Sequence, residues 1–179
     1  PYQNIVEAEN IYSDSLAWTY QEKLYRYMIA RWGYSSNLAS WEIMNEINGT
    51  DGWAMGHQDE AITWVGNVGQ FLKANDPTDR MTTVAFSGGE YPYPAIWDHV
   101  DVTNVHMYES GWPNLAPSNN IRASILTYKD VTHRFWNTYE KPFIYGESGY
   151  TDIRAASGQQ YWGTPEYTVA YHNQIWATW

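Results

Sequence analysis

Cysteine is absent from this 179-residue chain, which excludes disulfide frameworks, thiolate metal sites and cysteine nucleophiles. Basic residues are scarce: 10 Lys and Arg stand against 20 Asp and Glu, for a formal net charge of −10. No nucleic-acid partner is expected, because neutralising phosphates takes clustered Lys and Arg. No apolar run approaches the ~20 residues of a membrane span, so no membrane partner is expected either. Repeats at a fixed period of roughly 20 to 50 residues are missing, as are low-complexity segments. Charge of either sign is thin at 17%, below the ~25% of ordinary soluble domains. Aromatic residues fill the gap, with 11 Trp and 16 Tyr against only 4 Phe, a composition incompatible with disorder. Pro1-Tyr2-Gln3-Asn4 opens with neither a basic n-region nor an apolar h-region and reads as the start of a cut chain. The length suits one domain over residues 1–179, with no second domain.

Helical spacing comes first. Leu16, Tyr20, Leu24, Tyr27 and Arg31 follow N-cap candidates Ser13, Asp14 and Ser15 and stop at Gly33, which predicts a helix over roughly 14 to 32. Ser40-Trp41-Glu42-Ile43-Met44-Asn45-Glu46 is apolar at its centre and polar at its end, as in a buried parallel strand that delivers side chains to a rim. Ala61, Val65, Val68 and Leu72 predict a second helix, broken by Asn75-Asp76-Pro77. Strands are expected at Met81 to Ser87, Val100 to His106 and Lys141 to Glu147, with a short helix near Ala95 to His99. Ile121, Ile125, Tyr128, Thr132 and Phe135 mark a third long helix, and Thr164-Pro165-Glu166 the start of a last one. Alternating helix and strand argues for a parallel α/β architecture. Two layouts fit: an open doubly wound sheet, or a section of a (β/α)8 barrel whose full size is ~250 residues. Arithmetic favours the barrel section.

Glu46 and Glu147 each end an expected strand, and His106 ends another, at the strand termini where catalytic groups of barrels converge. A lone Glu after a strand is ordinarily a helix cap or a rim ion pair. A facing pair has other uses, because two carboxyl groups ~5 to 5.5 Å apart suit a retaining glycosidase. One attacks the anomeric carbon while the other protonates the leaving oxygen and later takes a proton from water.

Three motifs in order carry a family resemblance. Trp41-Glu42-Ile43-Met44-Asn45-Glu46 resembles the Asn-Glu segment that ends strand 4 in clan A glycoside hydrolases. His106-Met107-Tyr108 is similar to the His-x-Tyr that ends strand 6 in glycoside hydrolase family 5, and Lys141-Pro142-Phe143-Ile144-Tyr145-Gly146-Glu147 looks like strand 7. The stretch Tyr27 to Tyr34 also looks like the approach to strand 4 in cellulases and mannanases. The resemblance implies a section of a (β/α)8 TIM barrel, strands 4 to 7 with their helices, from a secreted or extracellular retaining β-glycoside hydrolase. Its implied action is endo cleavage of a β-1,4-linked glucan or mannan, with a β-linked oligo- or polysaccharide as substrate. By the same resemblance Glu147 is the nucleophile, Glu46 the acid/base and Asn45 the partner of the sugar 2-hydroxyl. Tyr108 would donate to the nucleophile's oxygen or position it, and His106 would contact the acid/base side or the sugar. Strands 1 to 3 and strand 8 have no counterpart, so the remainder of the barrel is expected from the same or another chain. The competing reading is a non-catalytic carbohydrate-binding or scaffold fragment.

Aromatic residues follow each expected strand: Trp53, then Tyr91 and Tyr93, then Trp112, then Tyr150 with Tyr161 and Trp162. Trp53, Trp112 and Tyr150 are the candidate sugar platforms, since pyranose C–H faces lie flat on indole and phenol rings; part of this set is expected to fold back onto the helices instead. No metal or cofactor is expected. His57-Gln58-Asp59-Glu60 reads as a solvated helix start, Gly66-Asn67-Val68-Gly69 lies inside a helical pattern, and Gly146-Glu147-Ser148-Gly149 is not a nucleophile elbow. The sequon Asn48-Gly49-Thr50 is expected to be unmodified, because a glycan two residues from Glu46 would crowd the site.

Overall fold

A computed structural model describes residues 5–88, 94–109, 117–150, 168, 172 and 174–176, with the side chains of 94, 109, 117–124 and 150 outside the description. Along the chain come α1 (Ser15–Trp32), β1 (Ser40–Glu42), α2 (Asp51–Ala54), α3 (Gln58–Asn75), β2 (Met81–Ser87), β3 (Val102–Glu109), α4 (Pro117–Tyr139) and β4 (Phe143–Tyr150). The four strands form one sheet in sequence order, β1-β2-β3-β4, so the fold is α/β as expected. Two compact units divide the chain: Pro1–Ser87 with Tyr91–Asn104, and Gly88–Glu90 with Val105–Trp179. Strand β3 contributes to both. The helix expected from Thr164 onward lies largely outside the described residues, of which 168, 172 and 174–176 are helical.

In the first unit, the Asp14 carboxylate accepts from the Ala17 N–H at 2.8 Å and starts α1 where the sequence places an N-cap. The apolar stripe that betrays this helix is not the face it buries. Leu16, Tyr20, Leu24 and Tyr27 are 43% to 60% exposed, while Ala17, Gln21 and Ile29 turn inward. Gln21 holds the inward face in place, donating to the Ile11 carbonyl at 3.0 Å and accepting from the Trp64 indole at 2.7 Å. Helix α3 does bury its stripe, with Ala61, Val65 and Val68 wholly enclosed. Gly66 and Gly69 let the 3-10 turn Pro94–His99 lie against it: a Cβ on Gly66 would meet the His99 ring at 2.9 Å. Trp53, Phe86 and Trp97 continue the core as a chain of rings with centroids 5.3 Å apart at each contact.

Strand β1 pairs parallel to β2 with Trp41 opposite Thr82. The regular strand is shorter than the Ser40 to Glu46 expected, but its ladder runs on through Ile43 N–H to the Thr83 carbonyl (2.8 Å) and Ala85 N–H to the Met44 carbonyl (2.9 Å). Beneath this pair lies a buried junction. The Asp76 carboxylate, at the end of α3, accepts from Trp41 Nε1 at 2.7 Å, Arg80 Nη1 at 2.7 Å and Thr78 N–H at 3.0 Å. Burial alone would push its pKa up, but these donors outweigh it and hold the carboxyl well below the usual range. Arg80 extends the tie to the Leu38 and Ser35 carbonyls at 2.9 and 2.6 Å. A buried ion pair is tolerable where its remaining donors and acceptors are met, as here.

In the second unit, α4 docks through its aromatic residues. Tyr128 is buried and donates to the Met107 carbonyl of β3 at 2.7 Å, while Tyr145 of β4 donates to the Tyr128 carbonyl at 2.8 Å. Phe135 packs on Phe143 at 4.9 Å. These contacts fix the register of the strands that carry His106, Tyr108 and Glu147. Both strands sit later in the chain than the sequence suggests: β3 runs from 102 to 109 and β4 from 143 to 150, so Glu147 lies within its strand rather than at its end.

Candidate active site

The carboxylate expected as acid/base stands just past the β1 ladder. Glu46 has φ 44° and ψ 57°, the left-handed region in which a residue with a Cβ is strained by about 1 to 2 kcal/mol. It opens the 3-10 turn Ile47–Gly49, and its own carbonyl accepts from Gly49 N–H at 2.8 Å. The neighbours overdetermine that turn. Ile47 is wholly buried, and the Thr50 hydroxyl donates to the Ile47 carbonyl at 2.7 Å. The same oxygen accepts from Trp53 N–H at 3.4 Å to cap α2 and lies 2.7 Å from the Tyr12 hydroxyl. Asn48 clasps the end of β2, donating to the Ser87 carbonyl at 3.1 Å and accepting from Ser87 N–H at 2.9 Å. A glycan on Asn48 would break that clasp. Asn45 is exposed beside Glu46. Sequence reasoning missed Asn48 and Thr50 as the residues that hold this turn, reading them only as a sequon; the polar triplet directly after Asn-Glu was the available signal.

Trp53 is placed otherwise than expected. It is 7% exposed and meets Phe86 edge-on at an interplanar angle of 86°, so its ring belongs to the core under the loop and is not an open platform. The physical reason is the short helix α2, which folds the segment after Glu46 back onto the sheet. His57 and Glu60 face each other at 3.5 Å at the start of α3, the solvated helix start that the sequence suggests.

The second unit brings together three expected residues. The Tyr108 hydroxyl donates to Glu147 Oε2 at 2.5 Å, and His106 Nδ1 lies 3.5 Å from the same oxygen. His106 is buried, whereas Glu147 and Tyr108 are 46% and 41% exposed. Among the described residues the arrangement is chemically asymmetric: one carboxylate oxygen is pinned by a short charge-assisted bond and the other is not. Such a group can present a directed lone pair to a bound electrophile. Alternation along β3 puts His106 and Tyr108 on one face, two residues apart. Tyr150 ends β4 with its side chain outside the description, and Tyr91, Tyr93, Trp112, Tyr161 and Trp162 lie outside the described residues.

No protein-family profile matches the sequence, and no curated protein matches it. Solved structures do share its fold, β-glucuronidases among them. The Bifidobacterium dentium β-glucuronidase complexed with coumarin-3-O-glucuronide aligns with a TM-score of 0.65 at 21% identity, over 93% of this chain and 26% of that one. Bacteroides uniformis β-glucuronidase 2, covalently bound to cyclophellitol-6-carboxylate aziridine, gives 0.65 at 18%, over 93% and 20%. Lactobacillus rhamnosus β-glucuronidase gives 0.62 at 14%, over 96% and 29%. The chain thus spans about a quarter of the length of the structures it resembles, and at these identities the likeness is one of fold. These structures are glucuronidases, and the family 5 resemblance rests on its motifs alone.

Proposed function

We propose that this chain is a section of the catalytic domain of a retaining β-glycoside hydrolase, supplying the strands that resemble numbers 4 to 7 of a (β/α)8 barrel. The observation that carries the reading is Glu147 in the grip of Tyr108 and His106. The fold shared with β-glucuronidases supports it, as does the covalent aziridine adduct of one of them, since opening such a ring takes an enzyme nucleophile. In this mechanism the Glu147 carboxylate attacks the anomeric carbon as Glu46 gives its proton to the departing glycosidic oxygen, leaving a glycosyl ester on Glu147. Glu46, now a carboxylate, takes a proton from water; that water attacks the same carbon and releases Glu147. Asn45 hydrogen-bonds the 2-hydroxyl, a contact that tightens as the oxocarbenium-like transition state forms. Tyr108 positions Glu147, His106 backs it, and Trp112 and Tyr150 are the sugar platforms.

The substrate in this reading is a β-1,4-linked glucan or mannan cleaved internally by a secreted or extracellular enzyme, with the missing strands drawn from the remainder of the same or another chain. The neighbours favour one second reading, a β-glucuronide. The test is NMR of the first-formed product anomer, run on β-1,4-gluco- and manno-oligosaccharides and on an aryl β-glucuronide with the longest chain that contains this section. The β-anomer appearing first supports double displacement by Glu147. Appearance of the α-anomer first overturns it, because inversion needs carboxyl groups ~6.5 to 9.5 Å apart with water between them. Binding of the oligosaccharides without hydrolysis would establish the non-catalytic fragment instead.

A further inference from the structure

Helices α1 and α3 of the first unit enclose a groove of about 590 Å³, within the ~300 to 1,000 Å³ of small-molecule sites. Trp18, Glu22 and Arg26 line it from α1; Asn67, Gln70 and Phe71 line it from α3. None of these belongs to the site described above. Trp18 is half-buried and meets Phe71 edge-on at 6.3 Å, yet its indole N–H has no hydrogen-bond partner among the described residues. That contrasts with Trp64 at the head of the groove, whose indole is bonded to Gln21. Asn67 and Gln70 are exposed one helical turn apart, and their carboxamides, like the Glu22 carboxylate, also lack partners among the described residues.

The lining selects a ligand class. Arg26 is its one basic residue, and that guanidinium is occupied, donating to Asn75 Oδ1 at 2.9 Å and lying 4.9 Å over the Phe71 ring. With Asp14 and Glu22 also in the wall and a net charge of −10, a phosphate or other anion is disfavoured. An apolar tail would strand two carboxamides and a carboxylate without partners. A sugar meets every requirement: its C–H face suits an indole ring, and its vicinal hydroxyls both donate and accept, as the amides and the carboxylate require. Trp18 to Arg26 covers ~12 Å of helix, long enough for a short oligosaccharide.

We propose that the groove between α1 and α3 binds a neutral oligosaccharide, with Trp18 as the stacking platform and Glu22, Asn67 and Gln70 as the hydroxyl-pairing groups. The proposal does not depend on catalysis by Glu46 and Glu147. It is tested in the longest chain that contains this section, carrying Glu147→Gln so that the probe is not consumed. Trp indole N–H resonances are followed during titration with β-1,4-glucohexaose and, separately, β-1,4-mannohexaose; the Trp18 signal is identified by its loss in Trp18→Phe, which keeps the ring contact with Phe71. The expected result is a saturable shift of the Trp18 signal with one of the two, binding about tenfold weaker in Trp18→Phe, and a severalfold loss in Gln70→Ala, an exposed position where folding is not at stake. A Trp18 signal that neither sugar moves at millimolar concentration, or an identical titration in Gln70→Ala and its parent, overturns the proposal. If the same chain with Glu147 intact hydrolyses the sugars while Trp18 stays silent in the Glu147→Gln titration, the groove alone falls. If the chain with Glu147 intact is inactive while Trp18 shifts, the hydrolase reading falls and the groove stands.

Discussion

Glu46 stands on a left-handed residue just past the β1 ladder, in a turn fixed by Ile47, Asn48 and Thr50. Glu147 stands in the fifth position of an eight-residue strand, on ordinary backbone, and is held by the side chains of Tyr108 and His106. The same functional group thus stands once on a left-handed turn and once on a regular strand beside Tyr108 and His106. The difference bears on the nucleophile role proposed for Glu147. A nucleophile must aim one oxygen at one carbon, and a tyrosine pinning the other oxygen does that.

The sharpest way to break this contrast is to remove each charge in turn. Glu147→Gln is expected to cost several orders of magnitude in kcat/KM on every substrate. Glu46→Gln is expected to cost ~10² to 10⁴ on oligosaccharides and far less on an aryl glycoside whose phenolate leaves without a proton. Steady-state kinetics across leaving groups reads the contrast directly, and equal losses from both variants on all of them would erase it. Next in size comes Tyr108→Phe, which deletes a bond to a charged acceptor worth ~1.5 to 3 kcal/mol, or roughly a ten- to hundredfold loss in kcat. Because Tyr108 is 41% exposed, its melting temperature is expected to stay with the parent; a coupled fall in both would mean that the tyrosine only supports the fold. The smallest effect is on stability. Glu46→Gly relieves the left-handed strain and is expected to raise the denaturant midpoint by the equivalent of up to about 1 kcal/mol while activity falls. A midpoint that drops would show that side-chain contacts, not main chain, hold Glu46.

What could be read from the sequence follows the same division. Helix α3 and strand β2 were legible because each signal there is local: an apolar stripe closed by Asn75-Asp76-Pro77, and a β-rich run closed by glycines. Helix α1 was legible in extent but not in orientation. Its stripe of Leu16, Tyr20, Leu24 and Tyr27 has the right period, yet the buried face is chosen by Gln21 reaching Trp64, 43 residues away. Trp53 misled for the same reason, since only the packing of Phe86 shows which side of the loop it occupies. Spacing alone said nothing of a bond between Tyr108 and Glu147; the family resemblance of their motifs did, and the hydroxyl donates to Glu147 Oε2. The clasp of Asn48 on Ser87 was hidden too, because a polar triplet after a strand looks like any loop.

The junction at Asp76 has a bearing on the conditions this chain can withstand. With a native pKa below the ~3.9 of an unfolded aspartate, the stability it lends is complete above that value and drains away only as pH falls through the native pKa. Acidification therefore spares the tie between α3, β1 and the approach to β2 down to that value and weakens it below, so the seam that carries the strand leading to Glu46 gives way in strong acid.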